Sequence, residues 1–251
     1  MAYGVLSMKP TVLVTGGSRG IGLATARLFA ASGYPTVINY NLSAEPALRT
    51  AREINAAGGM AIAVRADVSR PDDVAAMFDA AREQLGNVGI LINNAAIAGQ
   101  GLFTDTGYDE WKRTFAVNVD GMYLCCKAAL PYMLREHCGC IVNLSSMWGQ
   151  VGASCEVLYS ATKAAVIGLT KALAQEVGPS GIRVNCVAPG VIDTGMNSHL
   201  SPDDLRELAE CTPLMRLGSP DEVARTIFFL ASDDASFITG QVICPNGGYV
   251  V

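Results

Sequence analysis

No cluster of lysine or arginine occurs anywhere in the 251 residues, and the formal net charge is -5. Such a surface has nothing with which to track a phosphate backbone, so no nucleic-acid partner is expected. No apolar run approaches the roughly 20 residues that a membrane-spanning helix needs. The opening residues MAYGVLSMKP lack the charged, apolar and small-residue order of a secretory signal. The two absences together predict a cytoplasmic protein without a membrane partner. Composition breaks, internal repeats and low-complexity segments are missing as well. One domain over residues 8–251 is therefore expected, with residues 1–7 as an extension, because Met8 is read as opening the first strand directly. Cysteine is not scarce: there are eight, but they are scattered through strand and helix patterns in a chain too large to need staples, so reduced thiols are expected. His137, Cys138 and Cys140 are too tightly spaced for zinc and no second ligand pair follows, so no metal site is expected.

What the chain does have is apolar material, half of its residues, enough to fill a full core. The runs TVLVTG, PTVINY, MAIAVRAD, VGILINNAA, CIVNLSS, IRVNCVAPG and GQVICPNGG read as strands, with amphipathic helical patterns between most of them. Short apolar strands joined by helices predict an α/β domain, a doubly wound parallel sheet with helices on both faces. The least regular segment, residues 191–217, mixes Gly, Pro, Met and Ser with short helical pieces after a strand, which is where a lid over a site belongs.

After the first strand comes TGGSRGIGLATARLFAASG, placing Gly16, Gly20 and Gly22 at a turn into a helix. Glycine lets backbone pass close to a pyrophosphate, and the helix start offers unpaired N–H groups with partial positive charge. The second strand ends in Asn39, Tyr40 and Asn41, with no carboxylate to bind a ribose 2'-hydroxyl and repel a 2'-phosphate. Arg19 in the glycine loop has the charge to pair with that phosphate, so NADP(H) is the expected cofactor.

The stretch GASCEVLYSATKAA, residues 152–165, sets Tyr159 and Lys163 one helical turn apart, with Glu156 about one turn earlier. Reducing a ketone with hydride leaves an alkoxide that needs a proton, and tyrosine is a suitable acid only if its pKa of about 10 comes down. A unit charge about 4 Å away contributes on the order of 4 kcal/mol at an effective dielectric of 20, so Lys163 is expected to lower Tyr159. A serine hydroxyl, Ser145 or Ser146, would hold the carbonyl oxygen.

With the glycine loop, NNAA at 93–96, Asn118, Ser146, YSATK at 159–163 and Pro189-Gly190 in that order, nearly the whole chain resembles the short-chain dehydrogenase/reductase family. The resemblance implies a Rossmann-type single domain and a catalytic set of Asn118, Ser146, Tyr159 and Lys163. It selects Ser146 as the residue thirteen before the tyrosine, gives Lys163 the nicotinamide ribose to hold, and has Asn118 order the water through which protons return. It implies a cofactor site from Gly16, Ser18, Arg19, Gly20, Ile21, Gly22, Asn41, Asp67, Val68, Asn94, Ala95, Tyr159, Lys163, Pro189, Gly190 and Ile192, with Asp67 touching adenine. It also implies a homotetramer built on the DEVARTIFFLASD helix and the last strand. Ala96 departs from the family's usual glycine.

Within the family, TGGSRGIG, RVNCVAPG, PLMRLGSPDEVA and FITGQV resemble bacterial 3-oxoacyl-[acyl-carrier-protein] reductases, whose frequent basic docking residues are replaced here by His137 and Ser180. The run SSMWGQVGASCEVLYSATKAAV resembles more specifically the elongation factor P 5-aminopentanone reductases, which act on a protein-borne ketone with a free ammonium that Glu156 would pair with. A reductase of small ketones or steroids and a non-catalytic NADP-binding protein are the further alternatives. The substrate expected is a ketone or its alcohol, free or carried on a protein.

Overall fold

The computed structural model describes residues 9–197 and 200–251, so the expected extension at 1–7 lies outside the described residues. Along the chain run β1 (Thr11–Val14), α1 (Gly20–Ala31), β2 (Thr36–Tyr40), α2 (Ala44–Ala56), β3 (Ala61–Arg65), α3 (Pro71–Gln84), β4 (Val88–Asn93), α4 (Tyr108–Phe115) and α5 (Gly121–Glu136). There follow β5 (Gly139–Leu144), α6 (Trp148–Val151), α7 (Val157–Val177), β6 (Ile182–Val187), α8 (Pro202–Glu210), α9 (Pro220–Ala231) and β7 (Val242–Ile243). The first strand is Thr11–Val14, past Pro10, whose nitrogen has no hydrogen for a ladder bond, and the expected start at Met8 lies outside the described residues.

All seven strands pair in parallel in the order β3-β2-β1-β4-β5-β6-β7. The apolar strands feed two cores by simple alternation. Leu13, Leu91, Ile141 and Val184 point to one face and meet α3, α5 and α7 through Met77, Cys125, Met133 and Val166. Val12, Val14, Ile38, Ile92 and Val142 point to the other and meet α1, α2 and α9 through Phe29, Ala47, Ile227 and Leu230. The doubly wound α/β expectation is met. The sheet reverses its winding between β1 and β4, and in such sheets ligands bind outside the carboxyl ends of the strands at that switch point.

Two elements differ from the sequence reading. Helix α7 is long and apolar enough, by length and composition, to cross a bilayer, where no apolar run of that length was expected. Here it is a core helix, with Leu158, Val166, Thr170 and Ala174 buried. The 191–217 segment, described apart from residues 198 and 199, has its two ends joined: Gly218 N–H donates to Val191 O at 3.0 Å and Asp193 N–H to Gly218 O at 2.9 Å. Between them α8 starts on a reciprocal cap in which Ser201 and Asp204 satisfy each other's backbone N–H.

Candidate active site

The glycine loop is shaped by its neighbours before any ligand is considered. Gly16 and Gly20 take φ of 61° and 53°, a region costly for residues with a Cβ. The Asn39 side chain, buried at the end of β2, accepts from Gly16 N–H at 3.1 Å and donates to Ala66 O at 3.1 Å, tying the loop to two strands. From beyond β4, Asn94 donates to Thr15 O at 2.9 Å and Gly16 O at 3.1 Å, while Thr15 Oγ1 accepts from the N–H groups of Asn94 and Ala95. Gly22 departs from expectation. It does not line the cavity but packs under the loop, where a Cβ would stand 2.4 Å from Gly16 O. Helix α1 begins with no side-chain cap and no acid in its first turn, so its leading N–H groups suit an anion.

At the far end of the loop Arg19 is exposed and forms no salt bridge among the described residues. It shares the cavity wall with Asn41 and Ser43. Burial pushes the Asp67 carboxyl up, but hydrogen bonds from Ser69 and Asn41 and the charge of Arg113 outweigh this and hold it below the ordinary range. Asp67 is thus an oriented acceptor, fixed by Ser69 Oγ at 2.6 Å.

The reacting end is carried by the loop after β5 and by α7. Ser146 Oγ accepts from Trp148 N–H at 3.2 Å. Tyr159 is 8 % exposed, and its pKa lies well above the usual phenol range, raised by burial first and by the Glu156 carboxylate second, with hydrogen bonding from Ser146 opposing both. Burial brings the Lys163 ammonium down to about 8, with Cys186 opposing. Lys163 Nζ donates to Leu144 O at 2.7 Å and lies 5.5 Å from the centre of the Tyr159 ring. The expected lowering of Tyr159 by Lys163 is therefore absent from this arrangement: each charged form loses its hydration, and the ammonium is drawn to a carbonyl. Tyr159 is held protonated. Glu156 stands at the N-cap of α7 without capping it through its side chain.

Asn118 also departs from expectation. It lies in a π turn over Ala116–Asp120, 1 % exposed and behind the cavity wall, and its side chain is taken up by both backbone groups of Ile97 (2.8 and 2.9 Å) and by Thr162 Oγ1 (3.0 Å). Both hydrogens of its amide are thus used, by Ile97 O and Thr162 Oγ1.

The remaining predicted residues converge. Gly16, Ser18, Arg19, Gly20, Ile21, Asn41, Asp67, Val68, Asn94, Ala95, Ser146, Glu156, Tyr159, Lys163, Pro189, Gly190 and Ile192 line one cavity of about 1480 Å3. That exceeds the roughly 300–1,000 Å3 usual for one small-molecule site, which leaves room for a dinucleotide and a second ligand. The positive-φ glycine cradle, the uncapped helix start, the oriented Asp67 and the available Arg19 all fit a nicotinamide dinucleotide.

Sequence reading missed the other end of the cavity. Trp148 and Tyr249 meet edge to face at 5.7 Å, and both face the cavity together with Asp204, Glu207, Leu208 and Cys211 of the 191–217 segment. A contact spanning a hundred residues leaves no local pattern. Asn39 did leave one, an amide in an otherwise apolar strand.

A family model described as enoyl-(acyl carrier protein) reductase matches residues 16–250. The chain is 42 % identical over 243 residues to the 3-oxoacyl-[acyl-carrier-protein] reductase FabG of Staphylococcus aureus, covering 97 % of this chain and 99 % of that one. It is 41 % identical over 240 residues to the 3-oxoacyl-[acyl-carrier-protein] reductase of Synechocystis, covering 95 % and 96 %. A crystal structure of 3-oxoacyl-[acyl-carrier protein] reductase from Brucella melitensis matches with a TM-score of 0.90 at 37 % identity, covering 98 % of this chain and 93 % of that one.

Proposed function

This chain belongs to the short-chain dehydrogenase/reductase family, and from that premise we propose that it reduces a ketone to a secondary alcohol with NADPH, in the manner of a 3-oxoacyl-[acyl-carrier-protein] reductase. The observation that carries this reading is a buried, protonated Tyr159 beside Ser146 and Lys163 on the wall of the glycine-loop cavity. When bound, the nicotinamide supplies hydride. Ser146 orients the carbonyl oxygen, and Tyr159 passes its phenolic proton to the oxygen that gains charge, an alkoxide being a far stronger base than a phenolate. Lys163, charged below about pH 8, would hold the nicotinamide ribose. Gly16, Ser18, Gly20 and Ile21 would hold the pyrophosphate, Asp67 and Val68 the adenine side, and Arg19 with Asn41 a 2'-phosphate. Asn118 acts by fixing backbone around the tyrosine. Residues 191–217 serve as the lid, and the working form is a cytoplasmic homotetramer.

A second reading, reduction of the aminopentanone on modified elongation factor P, is supported by one feature of the cavity. Glu156 bears on Tyr159, and Asp204 and Glu207 share its substrate end, whereas the lysines and arginines on the described walls are Arg19, Arg113 and Lys163. A carboxylate-rich end suits an ammonium better than an acidic carrier protein. The test is NADPH oxidation measured in parallel with a 3-oxoacyl thioester, aminopentanone-modified elongation factor P and a panel of neutral ketones. Glu156→Gln should lower kcat/KM for the amino ketone by roughly 1.5–3 kcal/mol and leave a neutral ketone of equal size nearly unchanged. Equal losses on both would reject ammonium recognition and keep the acyl reading.

A further inference from the structure

We infer that Ser145 and Thr162 are positioning residues that fix the Tyr159–Lys163 turn against both walls of the site. The inference rests on the reductase reading above. The carbonyls of Tyr159 and Lys163 lie inside α7, where the helical ladder already supplies each with an N–H partner. Each nevertheless receives a second bond, from a buried hydroxyl. Thr162 Oγ1, fully buried, donates to Tyr159 O at 2.8 Å, and Ser145 Oγ, 5 % exposed, donates to Lys163 O at 2.7 Å.

A threonine bonding back to a carbonyl in its own helix is common and alone would mean little. Here the hydroxyl is also held from outside. Thr162 accepts from Asn118 Nδ2 at 3.0 Å, and Asn118 is itself clamped on the N–H and carbonyl of Ile97. One chain of bonds thus runs from the loop after β4, through the π turn, to the backbone of the proton donor. Ser145 makes the matching tie from the opposite side. Its N–H donates to Val187 O at 2.8 Å, anchoring it to β6, and the residue after it is Ser146. No slack is left around this second tie, because a Cβ on Gly149 would lie 2.7 Å from both Ser145 Oγ and the Lys163 carbonyl carbon. A slide or rotation of α7 would have to break both ties, and with them the Ser146–Tyr159 alignment.

The test compares Thr162→Val, Thr162→Ser and Ser145→Ala, with rates expressed per NADPH-binding site measured by fluorescence titration, so that misfolded protein does not count. A misplacement of 1 Å costs on the order of 10²-fold in rate, so Thr162→Val and Ser145→Ala should each lose about tenfold or more in kcat while KM and NADPH affinity stay within about threefold. Thr162→Ser, which keeps the hydroxyl, should stay within about twofold of wild type. A purely structural role would lower thermal stability and leave the rate per site alone. The inference is overturned if Thr162→Val and Thr162→Ser have equal kcat per site, and this pair decides alone should Ser145→Ala not fold. Wild type that binds NADPH yet reduces none of the ketones tested would instead overturn the reductase reading, and this inference with it.

Discussion

Tyr159 and Lys163 carry opposite consequences of the same burial. Desolvation keeps the proton on the tyrosine and loosens it from the lysine, which titrates near 8. Reduction needs the tyrosine protonated and the lysine charged. Both conditions hold at low pH, and the second fails first as pH rises. The kcat/KM for NADPH, which reports the free enzyme, should therefore be level below pH 8 and fall above it, as stopped-flow or steady-state rates across pH 6–10 would show. Tyr159→Phe should lose on the order of 10²-fold or more in ketone reduction while NADPH titrates as in wild type; activity within tenfold would remove the tyrosine from the proton-donor role. At this scale the chemistry was legible in YSATK and in the serine thirteen residues upstream. The direction of the tyrosine's shift was not, because spacing sets which groups are neighbours whereas burial sets which charge survives. Asn118 shows the same limit: its residue type and position were readable, but not the buried bonds to Ile97 and Thr162 that take up its amide hydrogens.

The glycine loop is the element in which local rules and tertiary contacts agree most closely. Gly-x3-Gly-x-Gly was readable as a strand-to-helix turn, and the uncapped start of α1 is its physical counterpart. What the pattern did not reveal is that Gly22 serves the loop rather than the ligand. Gly22→Ala places a methyl within clashing distance of Gly16 O and Asn94 Nδ2, both backed by the sheet. Cofactor affinity should fall at least about tenfold, with NADH and NADPH losing equally because the whole cradle moves. Arg19→Ala makes the contrasting case and should weaken NADPH more than NADH in the same fluorescence titration. Equal losses for Arg19→Ala would remove its 2'-phosphate contact.

For the whole molecule, periodicity disclosed seven strands and two covered faces because each strand is a short apolar run between polar turns, and parallel pairing needs both faces buried. It did not disclose which strand ends share a wall, since that depends on the strand order. Self-association belongs to this scale too. Phe229 on α9 is 43 % exposed and Phe237, between α9 and β7, is fully exposed, so both offer apolar surface for the proposed tetramer. Light scattering should return about four times the 26.3 kDa chain mass, and Phe237→Asp should reduce it; a monomeric wild type would refute the tetramer. A different property follows from the backbone bonds between Val191 and Gly218. Because the two ends of the segment, after β6 and before α9, are bonded to each other at nearly one point, a change in its length alters the loop-closure cost only slowly. A change of substrate preference can thus be confined to the part of this pouch beyond Ile192, with the proton donor, the dinucleotide cradle and the sheet left in place.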